Sequence, residues 1–384
     1  MIQRNRRRKL PACLFLPIGV VTSLAVPVYF DSTNHLHRDI QYHPEQPERI
    51  STCLLELEKH QQKNIGCIEL IDVAEVPLDL FSEISHKHDG ISATELSHAE
   101  AMLFKVHTED TVLQLKQRCH RSKQKRLDEG KPALGHIGYL DSDTYVTTET
   151  YDVCLRATAA WIRAADFVLN NGGGAMAMTR PPGHHATKSK SNGFCLFNFA
   201  AATVAHILER NPSAKVSVLD WDVHYGQGVA NILMDEPRAR YVSIHQYGAF
   251  PFMGQFLKTH GEHNNVLTIP ISPDTTWSSG YKNSFEMALD FICKQDEWIP
   301  DIVIICGGYD ALKSDELASV DLNFEDYGTM TEMLILHLKA TVGAEAPKIM
   351  VGLEGGYQLS PTAAGGNLQD AVIETVKAIY RIIY

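Results

Sequence analysis

Along most of this chain, short apolar runs rich in β-branched residues alternate with longer stretches of helical spacing, starting from "PVYFD" at Pro27. In "ETYDVCLRATAAWIRAADFVLNN" the apolar positions Val153, Ala157, Ala160, Ile162, Ala164 and Val168 recur at helical intervals, and Asn171-Gly172 closes the segment as a C-cap. "AMAMTR" then reads as a buried strand, and "FCLFNFAAATVAHILER" as a helix stopped by Asn211-Pro212. "AKVSVLDWD", "ARYVSIHQ", "DIVIICGG" and "KIMVGLEGG" read as further strands. "KQRCHRSKQKRLDEGK" reads as a charged, solvated loop. Strands alternating with helices predict an α/β fold, a mostly parallel sheet covered by helices on both faces. A ligand site in such a sheet lies outside the carboxyl ends of the strands.

No linker or repeat divides the 384 residues, so residues 27–384 read as a single domain. The net charge of −11 argues against a general nucleic-acid binder. None of the eight cysteines has C-x-x-C spacing, which predicts buried thiols in a reducing compartment. Residues 1–26 are basic and then apolar, as in a targeting segment cleaved after Ala25; an unstructured extension or an early start codon reads equally well. Pro11 and Pro17 interrupt the apolar run, so no stable membrane span is expected. Organelle targeting and secretory entry stay open, and the oligomeric state is not legible.

The candidate chemistry gathers at the predicted strand ends "RPPGHH", "LDWDVHYG", "SIHQY", "GGYDAL" and "EGGYQL". Pro181 and Pro182 stop a strand and Gly183 allows a tight turn, which together display His184 and His185. Adjacent imidazoles held in different protonation states can move protons. Asp220, Asp222 and His224 stand two apart and share one side if the strand persists through them. A carboxylate–imidazole pair with one more carboxylate makes an open zinc site. Asp310, after Gly307 and Gly308, is the candidate for the added ligand, with a helix-capping role as its competitor.

The motifs "RPPGHHA", "GFCLFNFAA", "LDWDVHYGQG", "GGYDAL" and "LEGGYQL" resemble, in order, those of the zinc-dependent histone deacetylase family in its class II-like branch. The resemblance runs from about Val28 to the C-terminus and implies the arginase–deacetylase fold. It further implies one Zn²⁺ held by Asp222, His224 and Asp310, and His185 as the general base. His184 would be its electrostatic partner, oriented by Asp220, and Tyr357 the donor to the amide carbonyl. Gly193 and Phe194 match one wall of an acyl-lysine tunnel, and Phe250 the opposite wall, with Phe252 as the alternative. Arg49 matches a residue at the floor of the site, against the competing reading of a surface salt bridge. Asp220, Asp222, His224, Ser243 and Ile244 match a structural K⁺ site. Leu317 falls where polyamine-selecting relatives carry Glu. The implied substrate is acetylated lysine in a protein or peptide, and the implied compartment is nucleus or cytoplasm.

Two features depart from the family pattern. Gln227 stands where Asp or Asn is usual, one methylene longer, which puts the basicity of His185 in question. The loop "HQYGAFPFMGQ" is short. An acetylpolyamine-type deacetylase and a catalytically silent acyl-lysine-binding module are the competing functions. A two-manganese ureohydrolase would need a second ligand set that the sequence does not offer.

Overall fold

The computed structural model describes residues 25–63, 67–74, 85–295, 297–343 and 347–383. The targeting segment read from the sequence lies outside these, except for its last two residues, and Val26 already opens the first strand. Among the described residues twelve strands form: β1 (Val26–Phe30), β2 (Ile68–Asp72), β3 (Lys87–His88), β4 (His136–Tyr139), β5 (Tyr145–Thr147), β6 (Gly173–Met178), β7 (Val216–Asp220), β8 (Ala239–Gln246), β9 (Lys258–His260), β10 (Val266–Ile271), β11 (Ile302–Gly307) and β12 (Lys348–Leu353). Ten of them make one sheet in the order β3-β2-β1-β6-β12-β11-β7-β8-β10-β9, and β4 pairs with β5 as a separate ribbon. Within the large sheet every pairing is parallel except β9 with β10.

The central strands are buried on both sides, and their period of two sorts them into two cores. Leu219, Val303, Ile305, Ile349 and Val351 face one way, against helices Glu48–Lys63, Lys282–Ile292, Phe324–Val342 and Leu368–Ile383. Val216, Val218, Ile304 and Met350 face the other, against helices Ala93–Val106, Thr150–Asn171 and Phe199–Arg210. Helix Thr150–Asn171 lies close on the sheet because Gly352 of β12 has no side chain. A Cβ there would sit 2.0 Å from the Trp161 ring. The Trp161 indole N–H donates to Thr179 Oγ1 at 3.0 Å, so this large buried side chain is also satisfied.

Three expectations about local structure change. The helix read from Phe194 starts at Phe199, because Gly193 and Phe194 have positive φ and Asn198 caps Ala201 N–H at 2.9 Å. The strand read to Asp222 ends at Asp220. Most of the "charged loop" belongs to a helix, Glu109–Asp128, capped by Thr108, which buries Val112, Leu115 and Cys119 along one side and solvates the rest. The seven cysteines among the described residues are all buried, as expected. No helix among these residues is long and apolar enough to cross a membrane.

A buried ion network ties the segment after β1 to the turn after β6. Arg180 donates from Nε and Nη2 to the two Glu45 carboxylate oxygens at 2.7 and 2.6 Å, and Arg49 Nη1 stands 3.5 Å from Glu45. Burial would push the Glu45 carboxyl up, but Arg180, with His37 and Arg49, holds it down at about 2 against an ordinary 4.5. A depressed carboxyl pKa contributes stability that is present above the unfolded value and lost as pH falls through the folded one. Wild-type stability in urea should therefore decline from about pH 4.5 toward pH 2, and Glu45→Gln should remove that part of the slope. At neutral pH the same substitution leaves Arg180 buried without its charge partner and should cost about 3–5 kcal/mol.

Candidate active site

The five strands that carry the motifs stand side by side in the sheet, in the order β6, β12, β11, β7, β8, with their carboxyl ends at one edge. Past β7 the chain bends at Asp222 and His224, and past β11 it turns through Gly308 to Asp310. Ligand atoms of Asp222, His224 and Asp310 lie within 4.8 Å of one another. His224 Nδ1 is 3.0 Å from Asp310 Oδ2 and 3.3 Å from Asp222 Oδ1.

Asp220 does not join this cluster. The period-two reading required the strand to continue, and its end at Asp220 turns that carboxylate elsewhere. Asp220 Oδ2 instead faces His184 Nδ1 at 3.1 Å and accepts from the Tyr241 hydroxyl at 2.7 Å. Asp310 caps no helix: its Oδ1 accepts from Val223 N–H at 3.0 Å, locking it to the β7 loop.

Glycines let these carboxylates pack. A Cβ on Gly308 would lie 2.1 Å from Asp222 Oδ2, and one on Gly355 would lie 2.2 Å from Asp310 Oδ2. Gly355 N–H also donates to Asp222 at 2.8 Å. Two buried carboxylates and one imidazole aimed at one point call for a cation between them. The O, N, O donor set suits zinc with a coordination position to spare.

The twin histidines occupy unlike environments although their ring centroids are 4.0 Å apart. Burial disfavours a charge on His184, but Asp222 and Asp220 outweigh it and raise the group to about 10. His185 is driven well below the ordinary imidazole value, by burial first and then by the charges of His184 and His224. His185 Nδ1 donates to Gln227 Oε1 at 2.6 Å, and the Gln227 amide nitrogen donates to Asn192 Oδ1 at 3.0 Å. That orientation of the amide puts the His185 proton on Nδ1 and leaves Nε2 as an acceptor. The extra methylene of Gln227 does not break the contact.

A cavity of about 190 Å³ opens beside these groups, lined by Asp143, Pro182, His184, His185, Gly193, Phe194, His224, Phe250, Leu317 and Tyr357. Phe194 stands edge-on to Tyr357 with centroids 5.7 Å apart, and Phe250 edge-on to His185 at 4.9 Å. Gly193, at φ 56°, passes between the two walls, where a Cβ would come 2.6 Å from Phe250 and 2.8 Å from His185. Of the two aromatic candidates, Phe250 lines the cavity and Phe252 lies outside it. Arg49 is wholly buried, not part of a surface pair. Its Nε donates to Gly356 carbonyl at 2.7 Å, and its guanidinium carbon lies 4.7 Å from the Tyr357 ring centre. Ser243 and Ile244 sit on β8, where Ser243 pairs in register with Asp220.

Several contributors were not singled out from the sequence. Glu354 accepts from the N–H groups of Gly183 at 2.6 Å and His184 at 3.1 Å, pinning the histidine turn from β12. Its place in "EGGYQL" was the available signal. Tyr241 and Asn192 lie in ordinary strand and loop contexts that carry no such signal.

The chain matches known proteins along most of its length. A family model described as the histone deacetylase domain matches residues 43–370. An uncharacterized protein of Synechocystis is 37% identical over 68% of this chain and 80% of its own length. Histone deacetylase 6 of Caenorhabditis elegans is 28% identical over 91% of this chain, which spans 34% of that longer protein. The crystal structure of the HDA15 HD domain superposes with a TM-score of 0.71, covering 94% of this chain and 90% of that one at 24% identity. The chain therefore belongs to the histone deacetylase family.

Proposed function

We propose that this protein is a zinc-dependent lysine deacetylase that hydrolyses the side-chain amide of acyl-lysine in proteins or peptides. The observation that carries the reading is a three-donor cluster, an uncharged imidazole acceptor and a phenol around one narrow cavity with two aromatic walls. Asp222, His224 and Asp310 would hold the zinc, which would supply a Lewis acid and lower the pKa of water. His185 Nε2 takes the proton of the attacking water, and the Gln227 carbonyl keeps its ring in the required tautomer. His184, held toward its charged form by Asp222 and Asp220, would add positive potential to the site. Burial raises the Tyr357 phenol well above its ordinary value, so it stays protonated and donates to the carbonyl oxygen as negative charge develops there. Phe194 and Phe250 flank the uncharged lysine stem and exclude water. Asp220, Asp222, His224, Ser243 and Ile244 would hold a structural K⁺, mostly through backbone carbonyls.

Leu317 at the cavity favours the neutral acyl-lysine chain, whereas Asp143, which also lines it, favours a cationic polyamine. Turnover of an acetyl-lysine peptide measured against an acetylpolyamine separates the two readings. Polyamine turnover alone would keep the chemistry and overturn the substrate.

Three measurements test the assignments. The purified protein should hold about one zinc equivalent by mass spectrometry of the metal, and Asp310→Ala should lose it. Tyr357→Phe should keep the zinc and lower kcat on an acetyl-lysine peptide by about 10²–10³-fold with little change in KM. Gln227→Glu would place a negative charge against His185, so the acid limb of the kcat/KM profile should move up by about one pH unit.

A further inference from the structure

We propose that Phe252 selects among substrates by the side chain next to the acyl-lysine, favouring polypeptides that carry an aromatic or aliphatic residue there. The inference rests on the tunnel reading above. Between β8 and β9, residues 247–257 form a loop whose backbone is fixed at several points. Gly248 N–H donates to Gln255 Oε1 at 2.8 Å, and Phe252 N–H donates to the Ala249 carbonyl at 2.8 Å. His245 Nε2 lies 2.9 Å from the Gly254 carbonyl, and Thr268 Oγ1 donates to the Phe256 carbonyl at 2.7 Å.

This anchored loop nevertheless holds apolar side chains in solvent: Phe252 is 73% exposed and Met253 54%. Phe252 also has φ 63°, a left-handed backbone that residues with a β-carbon adopt rarely and at a cost. Neither burial nor backbone preference explains a phenylalanine there. Its ring centroid lies 6.3 Å from that of Phe250, and Phe250 lines the cavity. Phe252 is therefore one ring outward from the tunnel wall, where a polypeptide with its lysine inserted must lay a neighbouring side chain. On the Leu317 side, Tyr42 is also exposed, and its hydroxyl donates to Glu316 at 2.8 Å. An apolar neighbour of the acyl-lysine covers the Phe252 ring and removes both surfaces from water.

The test uses acetyl-lysine peptides that differ only in the adjacent residue, Phe or Leu against Ser or Asp, together with an acetyl-lysine amide too small to reach the rim. Wild type should prefer the apolar peptides by roughly fivefold to tenfold in kcat/KM, carried by KM. Phe252→Asn, whose side chain tolerates a left-handed backbone, should bring that ratio to about twofold or less. Met253→Ser, which keeps Phe252, should leave the preference standing. A wild-type ratio near one, or a ratio that survives in Phe252→Asn, overturns the proposal. Failure on the small amide is failure of the deacetylase reading instead. In that event Kd values of the same peptides, by fluorescence anisotropy, decide the Phe252 preference against the same ratios.

Discussion

Asp222 and Asp310 bring two carboxylates, both shut off from solvent, to one point at the carboxyl edge of the sheet, and the surrounding structure makes that convergence tolerable. Backbone N–H groups of His224 and Gly355 donate to Asp222, and that of Val223 donates to Asp310. These bonds spread part of the negative charge over fixed dipoles, but two buried like charges still require a cation. The glycines of "GGYD" and "EGGY" follow from the same constraint. At Gly308 and Gly355 a methyl group would overlap a carboxylate oxygen, so the residues that turn the chain also make room for the donors.

The same packing separates the two histidines. They are neighbours in sequence and share burial, so an intrinsic property of imidazole cannot tell them apart. His184 meets Asp220 and Asp222, whereas His185 meets the neutral amide of Gln227 and the charge of its neighbour. One ring is thereby pushed toward its charged form and the other toward its neutral form. Their turn is held from two directions, by Glu354 through backbone N–H groups and by the Arg180–Glu45 pair just before the prolines. A buried ion pair contributes little net stability compared with an apolar replacement. Its use here is that it fixes one position of the turn, since any other leaves a guanidinium or a carboxylate unpaired.

Much of the fold was legible because buried parallel strands and amphipathic helices have unlike periods. The runs at β6, β7, β8, β11 and β12 all form strands, and the helix closed by Gly172 ends there with φ 71°. The errors have local causes. Charged residues outnumbered apolar ones in Glu109–Asp128, so a narrow buried stripe of Val112, Leu115 and Cys119 was hidden among them. Period-two spacing grouped Asp220 with Asp222 and His224, but the strand ended at Asp220, the first of the three. Gln227 stood out as a departure from the family pattern, and only the distance to His185 revealed that it still orients the ring.

The sequence by itself determined which residue types stand at the ends of which strands, because a strand's length and burial are written in its own few residues. It also carried the motif order that marks the family. Tertiary structure decided which ends are neighbours: β12, last in the chain, lies between β6 and β11, and this places Glu354 under the histidine turn and Tyr357 against Phe194. Periodicity reports the face a side chain takes and not the strand that will lie beside it. That pairing is fixed by hydrogen bonds and packing between segments far apart in the chain. For the same reason the exposure of Phe252 and the burial of Arg49 could be seen only in the folded molecule.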